Sequence, residues 1–369
     1  MTRALSDSER RAWLRLARTQ NVGPVTFAQL ISRFGSATAA LNEIPKLARR
    51  GGANELRSPS DADAKRELDA LAKLGARVIA NCEADFPPGL AALEAPPPLI
   101  TALGHISLLA RDMVAIVGAR NASALGRKFA ERMAMDLGAA GLMVSSGLAR
   151  GIDSAAHEGS LETGTCAVLA GGIDIIYPPE NAGLYERIKA QGVIVSEMPP
   201  GMSPQARHFP RRNRIISGLA RGVVIVEAAE GSGSLITANY ALEQNREIFA
   251  VPGSPLDPRA RGTNRLIRDG ATLTESAADV IAGLRPIIGH AFLDPGREPP
   301  TPYTDHSAVE AEADRIRESL LELLGPAPTD VDELIRQSGA GVAAVLTVLL
   351  ELELAGKLTR HPGNRVSLA

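Results

Sequence analysis

The stretch VVIVEAAEGSGSLITANYAL, residues 223–242, reads as one strand, one turn and one helix. Its first four residues are Val and Ile, which favour a strand buried on both faces. Gly231, Ser232, Gly233 and Ser234 follow before a helix-forming segment. Glycines let a backbone approach an anion closely, and the start of a helix presents unpaired N–H groups with a partial positive charge. The stretch therefore predicts a βα unit whose turn can hold an anion.

Apolar runs of the same kind recur between about residues 77 and 288. They are bounded by glycines and separated by helix-like segments, and they read RVIA, MVAIVG, LMVSSG, CAVLAGG, VIVSE, GVVIVEA and IFAVPG. This pattern predicts an α/β domain with a doubly wound, mostly parallel sheet over 77–288. Sheets of this kind bind ligands in the crevice beyond the C-terminal ends of their strands.

Two more Gly-rich turns follow predicted strands, in MVAIVGARNASALG (113–126) and LMVSSGLARGIDSAAHEG (142–159). In the first, Ser123 is placed to cap the next helix. Three such turns in one sheet, each with serines, indicate several phosphates lying across the strand ends. The turn residues predicted to bind are Gly118, Arg120, Ser145, Gly147, Ser232, Gly233 and Ser234.

No turn matches GxGxxG or GxxxxGK[ST], which argues against a dinucleotide, a P-loop nucleotide and an ATP-driven motor. Asp153 and His157 lie four residues apart on the predicted helix after the second turn, so they share a face. They could form a metal pair or an acid/base dyad, but no third ligand stands at a readable spacing. We expect a capping aspartate and a hydrogen-bonded histidine, and we predict no metal and no cofactor.

The segment HFPRRNRIISGLARG, residues 208–222, is strongly basic, and no acid occurs between Glu197 and Glu227. Alone it could be a solvated loop. It lies between two predicted strands, however, and so belongs to the same edge as the Gly-rich turns. Arginines there would grip a nucleic-acid backbone while an aromatic ring stacks on a base. The predicted contacts are Phe209, Arg211, Arg212, Asn213 and Arg214.

Three further residues of the basic segment are not expected to contact nucleic acid. Ile215 and Ile216 are expected to start a helix that packs this wall in place. Arg221 precedes the next strand and so should lie at the end of the sheet opposite the crevice. No Ser or Cys nucleophile in a strained elbow accompanies His208, which favours nucleic-acid contact over catalysis.

Length and composition limit the classes of protein. The chain has 369 residues and a formal net charge of −2, so the basic segment is a local patch and two or three domains are expected. Cys82 and Cys166 stand far apart, which excludes a disulfide framework and a cysteine zinc site. The N-terminus lacks the apolar stretch of a signal peptide, and no apolar run is long enough for a membrane span. We therefore expect a cytoplasmic protein without membrane contact.

The flanking segments predict two smaller domains. Residues 1–76 are predicted helical, with Ser6 and Glu9 in capping-box spacing, and are similar to SAM-like or helix-hairpin-helix domains. A proline-rich linker is predicted at 289–307, followed over 308–369 by three helices and a hairpin, the order of a winged helix. The third helix carries Glu351 and Glu353 but no Lys or Arg, whereas reading duplex DNA requires cationic or amide side chains. It is therefore expected to be a packing or partner-binding helix.

Taken together, the motifs of the α/β domain resemble the DprA/Smf family of bacterial DNA-processing proteins. The matching segments are VAIVGAR, SSGLARGIDSAAHEGSL, AVLAGGIDIIYPPEN, SEMPPG, HFPRRNRIISGLARGVVIVEA, GSGSLITANYALEQNREIFAVPG and GTNRLIRDGA. The two flanking domains fit the commoner domain order of the family, a SAM-like N-terminal domain and a C-terminal winged helix, but their sequence motifs are less specific. One departure is Ala119, where the family often has Ser.

The resemblance implies a Rossmann-like domain that binds single-stranded DNA, forms a homodimer and helps load the RecA recombinase in natural transformation and recombination. It also implies that Arg120 and the stretch from Phe209 to Arg214 contact DNA.

Two other functions stay open at this stage. One is a nucleotide or nucleoside-phosphate hydrolase, similar to the lysine-decarboxylase-like group of Rossmann-like enzymes. The other is a scaffold with solvated arginines. A hydrolase needs a carboxylate in the crevice, and the first acid after the third turn is Glu243, about three helical turns on. A non-enzymatic single-strand binder is therefore the prediction.

Overall fold

The computed structural model describes residues 3–53, 55–292, 306–361 and 363–369. The chain separates into two compact units, and the smaller contains both Leu5–Arg66 and Gly296–Ala369. The larger contains Met1–Ala4 and Glu67–Pro295. The predicted N-terminal and C-terminal domains thus belong to one unit. The boundaries predicted at 76, 288 and 307 stay predictions, and the prolines of the predicted linker lie within 293–305, outside the described residues.

The chain alternates helices and strands over most of its described length. The helices are α1 (Asp7–Arg18), α2 (Pro24–Phe34), α3 (Ala37–Arg50), α4 (Asp61–Lys73), α5 (Pro88–Ala91), α6 (Ala124–Ala139), α7 (Ile152–Ser160), α8 (Ala182–Gln191), α9 (His208–Leu219), α10 (Gly233–Glu243), α11 (Arg261–Arg268), α12 (Ala277–Leu284), α13 (His306–Leu323), α14 (Val331–Ser338) and α15 (Val342–Leu354). The strands are β1 (Arg77–Ala80), β2 (Leu99–Gly104), β3 (Met113–Gly118), β4 (Met143–Ser146), β5 (Thr165–Gly172), β6 (Val193–Met198), β7 (Gly222–Val226), β8 (Glu247–Ala250), β9 (Thr272–Leu273), β10 (Thr329–Asp330), β11 (Leu358–His361) and β12 (Arg365–Leu368). No helix in these described ranges is long and apolar enough to cross a bilayer.

The larger unit is built on one sheet with the strand order β1-β2-β6-β5-β4-β3-β7-β8-β9. The strands from β6 to β9 in that order are parallel, whereas β2 pairs antiparallel with β6 and with β1. This confirms the predicted doubly wound, mostly parallel sheet. The chain order reverses at β3, which lies between β4 and β7. Such a reversal is where open α/β sheets form their ligand crevice.

Alternation along β3 explains why its sequence is apolar throughout. Val114 and Ile116 pack into one buried cluster, and Ala115 and Val117 into a second. Because successive strand residues point to opposite faces, a strand covered on both sides must be apolar at every position. Each of the seven runs quoted above forms a strand, whereas β2 and β9 were not predicted.

The smaller unit contains the winged helix and the N-terminal helices. Leu320, Leu334 and Val348, from the three helices of the winged-helix domain, share a core with Leu358 and Val366 of its hairpin. The predicted capping box at Ser6 is confirmed, since Ser6 Oγ accepts from Glu9 N and Glu9 reaches back to Ser6 N. The predicted SAM-like or helix-hairpin-helix-like domain and winged helix are thus both present.

Helix α15 is buried on more than one side, which explains its lack of Lys and Arg. Glu351 on this helix is completely buried and forms ion pairs with Arg317 of α13 and Arg50 of α3. A Cβ on Gly51 would lie 1.9 Å from the Glu351 carbonyl oxygen, so only glycine allows this approach. The expectation that α15 is a packing helix is confirmed, and its N-terminal-domain partner could not be read from sequence.

Candidate nucleic-acid interface

A crevice of about 530 Å³ opens beyond the C-terminal ends of β3 and β7, at the point where the strand order reverses. It is lined by residues from all three Gly-rich turns and from the start of α9. Of the residues predicted from sequence, those that line it are Gly118, Arg120, Phe209, Arg212, Asn213, Ser232, Gly233 and Ser234. Asp153, Glu230 and Arg259 line it as well.

The turn before α10 keeps its helix start open to the crevice. Ser232 is the N-cap, and its hydroxyl accepts from Ser234 N at 3.4 Å and lies 2.7 Å from Ser234 Oγ. A Cβ on Gly233 would meet nothing within 4 Å, so this turn has room beside it. The hydroxyls and the helix N-terminus give this turn the chemistry that binds a phosphate.

The turn before α6 already has an anion, supplied by the chain itself. Ser123 caps the helix as predicted, accepting from Gly126 N at 2.9 Å. The Glu227 carboxylate, at the end of β7, accepts from Ser123 N at 2.8 Å and from Ser123 Oγ at 2.5 Å. This helix start is therefore occupied, and what the turn offers to a ligand is the exposed Arg120.

The turn before α7 is occupied in the same way. Asp153 Oδ2 accepts from the backbone N–H groups of Gly147 at 3.2 Å and Ala149 at 3.3 Å. Burial raises the pKa of Asp153, while Arg212 and these two amides act in the opposite direction. Ser145 does not reach the crevice, since its buried hydroxyl donates to Ile216 O at 3.4 Å. In the first two turns, backbone amides already hold carboxylates of the chain, and that these turns bind anions stays a prediction.

Asp153 and His157 do not form a dyad. His157 is fully buried, and its Nδ1 lies 2.7 Å from Thr165 Oγ1. Burial, followed by the charge of Arg212, lowers the pKa of His157 to about 3, so the imidazole is neutral. The expected hydrogen-bonded histidine is confirmed. The expected capping aspartate was wrong, because the N-cap of α7 is Gly151 and the Asp153 carboxylate accepts from amides of the preceding turn.

Arg212 is a buried cation at the wall of the crevice. Its Nη1 donates to Val168 O at 2.9 Å, and its Nε has no hydrogen-bond partner among the described residues. A Cβ on Gly147 would lie 1.7 Å from Arg212 Nη1, so glycine is required there for the guanidinium to fit. Burial lowers the pKa of Arg212 to about 10, which still leaves it charged at neutral pH.

The basic segment is helical from its first residue, because α9 begins at His208. The prediction that the helix starts near Ile215 was therefore wrong. Phe209 is half-buried, with Arg120 5.0 Å and Arg212 6.0 Å from its ring centroid. Asn213 donates to Gly233 O at 3.2 Å, which ties α9 to the open turn.

The other arginines of the basic segment point away from the crevice. Arg214 pairs with the buried Glu197 at 2.5 Å, and Arg211 lies 3.6 Å from the same carboxylate. The shared partner of these two arginines is therefore Glu197, the acid at which the acid-free stretch of sequence begins. Arg221 pairs with Asp112 at 2.7 Å at the start of β7, the end of the strand away from the crevice.

Acids at the crevice are the main feature that sequence reasoning missed. Glu230, which precedes the third turn, and Asp153 both line the crevice. Both are close to Gly-rich turns in sequence, and that proximity is the signal that could have identified them. Glu243 is the first acid after the third turn, but the inference that the crevice lacks a carboxylate was wrong.

Comparison with protein-family models gives three consecutive matches. The model described as DNA recombination-mediator protein A matches residues 77–285. The DprA-like N-terminal HHH domain matches residues 7–70, and the DprA winged helix domain matches residues 304–364.

Similar proteins share these parts. Protein Smf of Synechocystis is 30% identical over 98% of this chain and 99% of its own length. Protein Smf of Escherichia coli is 38% identical over 77% of this chain and 75% of its own length. The DNA processing protein DprA of Bacillus subtilis is 42% identical over 59% of this chain and 75% of its own length.

Two solved structures have a similar fold. DNA processing protein A from Streptococcus pneumoniae superposes with a TM-score of 0.63 at 32% identity, covering 76% of this chain and 98% of that one. DNA processing protein A from Helicobacter pylori, whose single-stranded DNA binding mode that structure describes, gives 0.53 at 28% identity, covering 57% and 96%.

Proposed function

The chain belongs to the DprA/Smf family of DNA-processing proteins, and from that premise we propose that its crevice binds single-stranded DNA without sequence preference. The observation that carries the proposal is Arg212, a buried cation at the crevice wall without an ion pair among the described residues. The charge of the buried Asp153 carboxylate acts on Arg212, but the buried Nε donor has no partner among the described residues. Leaving a buried donor unpaired is unfavourable, which favours an acceptor that arrives with a ligand. The Helicobacter pylori relative, described as binding single-stranded DNA, supports the choice of ligand.

Each part of the crevice has a separate task in this proposal. The open start of α10 and the hydroxyls of Ser232 and Ser234 receive one phosphate. Arg120 and Arg212 neutralise the backbone charge, and Phe209 offers a ring face to a base. Stacking on an aromatic ring is worth roughly 1–3 kcal/mol per base and tolerates any base, because every base has a flat face.

We further propose that the protein acts as a recombination mediator that helps RecA to occupy single strands, and that it works as a homodimer. The family model's own description, a DNA recombination mediator, supports the first part. RecA-driven strand exchange with and without the protein tests the mediator role, and light scattering of the purified chain tests the dimer.

The hydrolase remains the second candidate because Asp153 and Glu230 line the crevice. Asp153 is held by two backbone amides, so its carboxylate is already engaged. Incubation with nucleoside monophosphates is expected to release neither base nor phosphate. Turnover that Glu230→Gln abolishes would favour the hydrolase.

The binding proposal is tested by the salt dependence of oligo-dT affinity, measured by fluorescence anisotropy. Each phosphate neutralised on a single strand contributes about −0.7 to the slope of log affinity against log salt. Arg120 and Arg212 alone predict a slope of about −1.4, whereas contacts from Arg211 and Arg214 as well predict about −2.8. The slope therefore also decides whether those two arginines contact DNA.

Phe209→Ala is expected to weaken binding by about 5- to 150-fold, the loss of one stacked base. Arg132→Ala is the matched control, because Arg132 is exposed on α6 and pairs only locally with Asp136. Equal affinity of the Phe209→Ala variant and the control variant would contradict the site.

A further inference from the structure

A second pocket of about 200 Å³ lies beside the crevice and shares Arg120, Ala149, Phe209 and Arg212 with it. Its outer wall is the segment after β5, which contributes Tyr177, Pro178, Pro179 and Glu180. The two pockets are therefore continuous around Phe209. A ligand longer than one nucleotide can reach both.

Tyr177 is the second aromatic residue that lines this pocket, besides Phe209. It is 47% exposed, although large aromatic side chains are usually mostly buried. Its ring centroid lies 5.8 Å from that of Phe209, with the ring planes inclined at 59°. Two inclined rings cannot share one base in parallel stacking, so each has a face for a base of its own.

The segment that carries Tyr177 is fixed to the turn before α7. Asn181 Nδ2 donates to Leu148 O at 2.8 Å and to Ser154 Oγ at 3.0 Å. The segment that carries Tyr177 is thereby anchored beside the crevice. An anchored segment loses less conformational entropy than a free one when a ligand binds.

The charges around this pocket suit a phosphate between two bases. Arg150 lines it and is more than half exposed, and its nearest acid, Glu180, lies 4.0 Å away at the limit of an ion pair. Arg120 reaches both pockets. The pocket thus combines an aromatic ring with cationic side chains, as in single-strand binding grooves.

We propose that this second pocket binds the nucleotide next to the one on Phe209, with Tyr177 as its stacking face. The inference rests on the proposed single-strand binding. It assigns Tyr177 a direct contact with DNA and makes the binding unit at least two stacked bases.

The test compares Tyr177→Phe, Tyr177→Leu and Tyr177→Ala in the full chain with oligo-dT. Phe keeps the ring and should bind as the wild type does. Leu keeps apolar bulk without a flat face, so Leu and Ala should both lose about 5- to 150-fold. The salt slope should not change in any of them, because stacking releases no counterions. Wild-type affinity of Tyr177→Leu would overturn the inference, since apolar bulk alone would then suffice.

A double variant separates stacking on Tyr177 from support of Phe209. If each ring holds its own base, the losses of Tyr177→Leu and Phe209→Ala should multiply in the double variant. If Tyr177 only holds the Phe209 ring in position, the double variant should bind as Phe209→Ala does, and this result would overturn the inference. The proposed function fails separately, when the wild-type chain itself does not bind oligo-dT.

Discussion

Two sites with a buried charge, Glu351 in the smaller unit and Arg212 in the larger, are compensated differently. In the smaller unit, Arg50 and Arg317 meet Glu351, so the chain supplies the anion itself. In the larger unit, Arg212 has a backbone carbonyl as its partner and no ion pair among the described residues. Both sites depend on a glycine, Gly51 or Gly147, that lets the groups approach. The comparison separates arginines that carboxylates of the chain hold in place from an arginine whose proposed partner is a ligand.

The same distinction divides the three Gly-rich turns. Glu227 and Asp153 occupy two of them, and the third has no carboxylate on its helix start in the part of the chain described. The open turn and the unpaired arginine line one crevice. Two independent kinds of unsatisfied positive charge thus coincide at the proposed phosphate position.

The largest effect is expected from Glu351→Gln, which removes the anion from the fold-holding site. Arg50 and Arg317 would lose their contact with the completely buried carboxylate and keep only the more exposed Asp314 and, for Arg50, Glu310. The cost should therefore not exceed about 3–5 kcal/mol, the cost of breaking a fully buried pair. Urea denaturation of the full chain should show this loss in the transition of the smaller unit. Glu333→Gln is the matched control, because its partner Arg336 is largely exposed, and it should cost less than about 1 kcal/mol. Equal losses would remove the distinction between the buried and exposed pairs.

The next effect is expected from Arg212→Met, which should act on binding. Losing a buried charge contact to DNA should cost about 2–5 kcal/mol, or roughly 30- to 5,000-fold in oligo-dT affinity. Some stability should be lost as well, because the buried carboxylate of Asp153 would lose the nearby charge of Arg212.

Arg214→Met, two residues further along α9, is the counterpart to Arg212→Met. Its arginine pairs with the buried Glu197, so this variant should lose stability while keeping most of its affinity. Anisotropy and urea denaturation of both variants provide the comparison. If Arg212→Met destabilises the protein and leaves DNA binding intact, Arg212 is a structural residue.

The smallest effect concerns pH. His157 is neutral in the folded protein because its pKa is lowered to about 3, whereas the unfolded side chain takes up a proton near its ordinary value of 6.5. Its contribution to stability is therefore complete above pH 6.5 and is lost as the pH falls from there towards 3, by at most about 1.4 kcal/mol per pH unit. His157→Gln should lack this part of the pH dependence in urea denaturation between pH 7 and 5. A wild-type pH profile for this variant would show that His157 titrates normally in the fold.

Local sequence patterns predicted the elements of this fold well. The Val/Ile runs predicted the strands, and Ser6 and Ser123 predicted the starts of α1 and α6. Strands and helix caps were predictable because they depend on residues that are close together in the chain. The partners of charged groups were not predictable in this way. Glu227 contacts Ser123, 104 residues away in the chain. Arg50 pairs with Glu351, although the segment Glu67–Pro295 lies between them in the sequence. Tyr177 carries no periodic pattern at all, so its place beside Phe209 appears only in three dimensions.

The smaller unit is formed by two separate segments of the chain, and this affects when it can fold during synthesis. Its two parts, Leu5–Arg66 and Gly296–Ala369, flank the main segment of the larger unit, Glu67–Pro295, in the chain. At roughly 5–20 residues per second, a ribosome needs about ten to fifty seconds to pass from Arg66 to Gly296. During that time α3 has been synthesised, but α15 has not. The two helices meet where Gly51, at the end of α3, approaches Glu351 of α15. The first domain to leave the ribosome is therefore the last to acquire all its contacts.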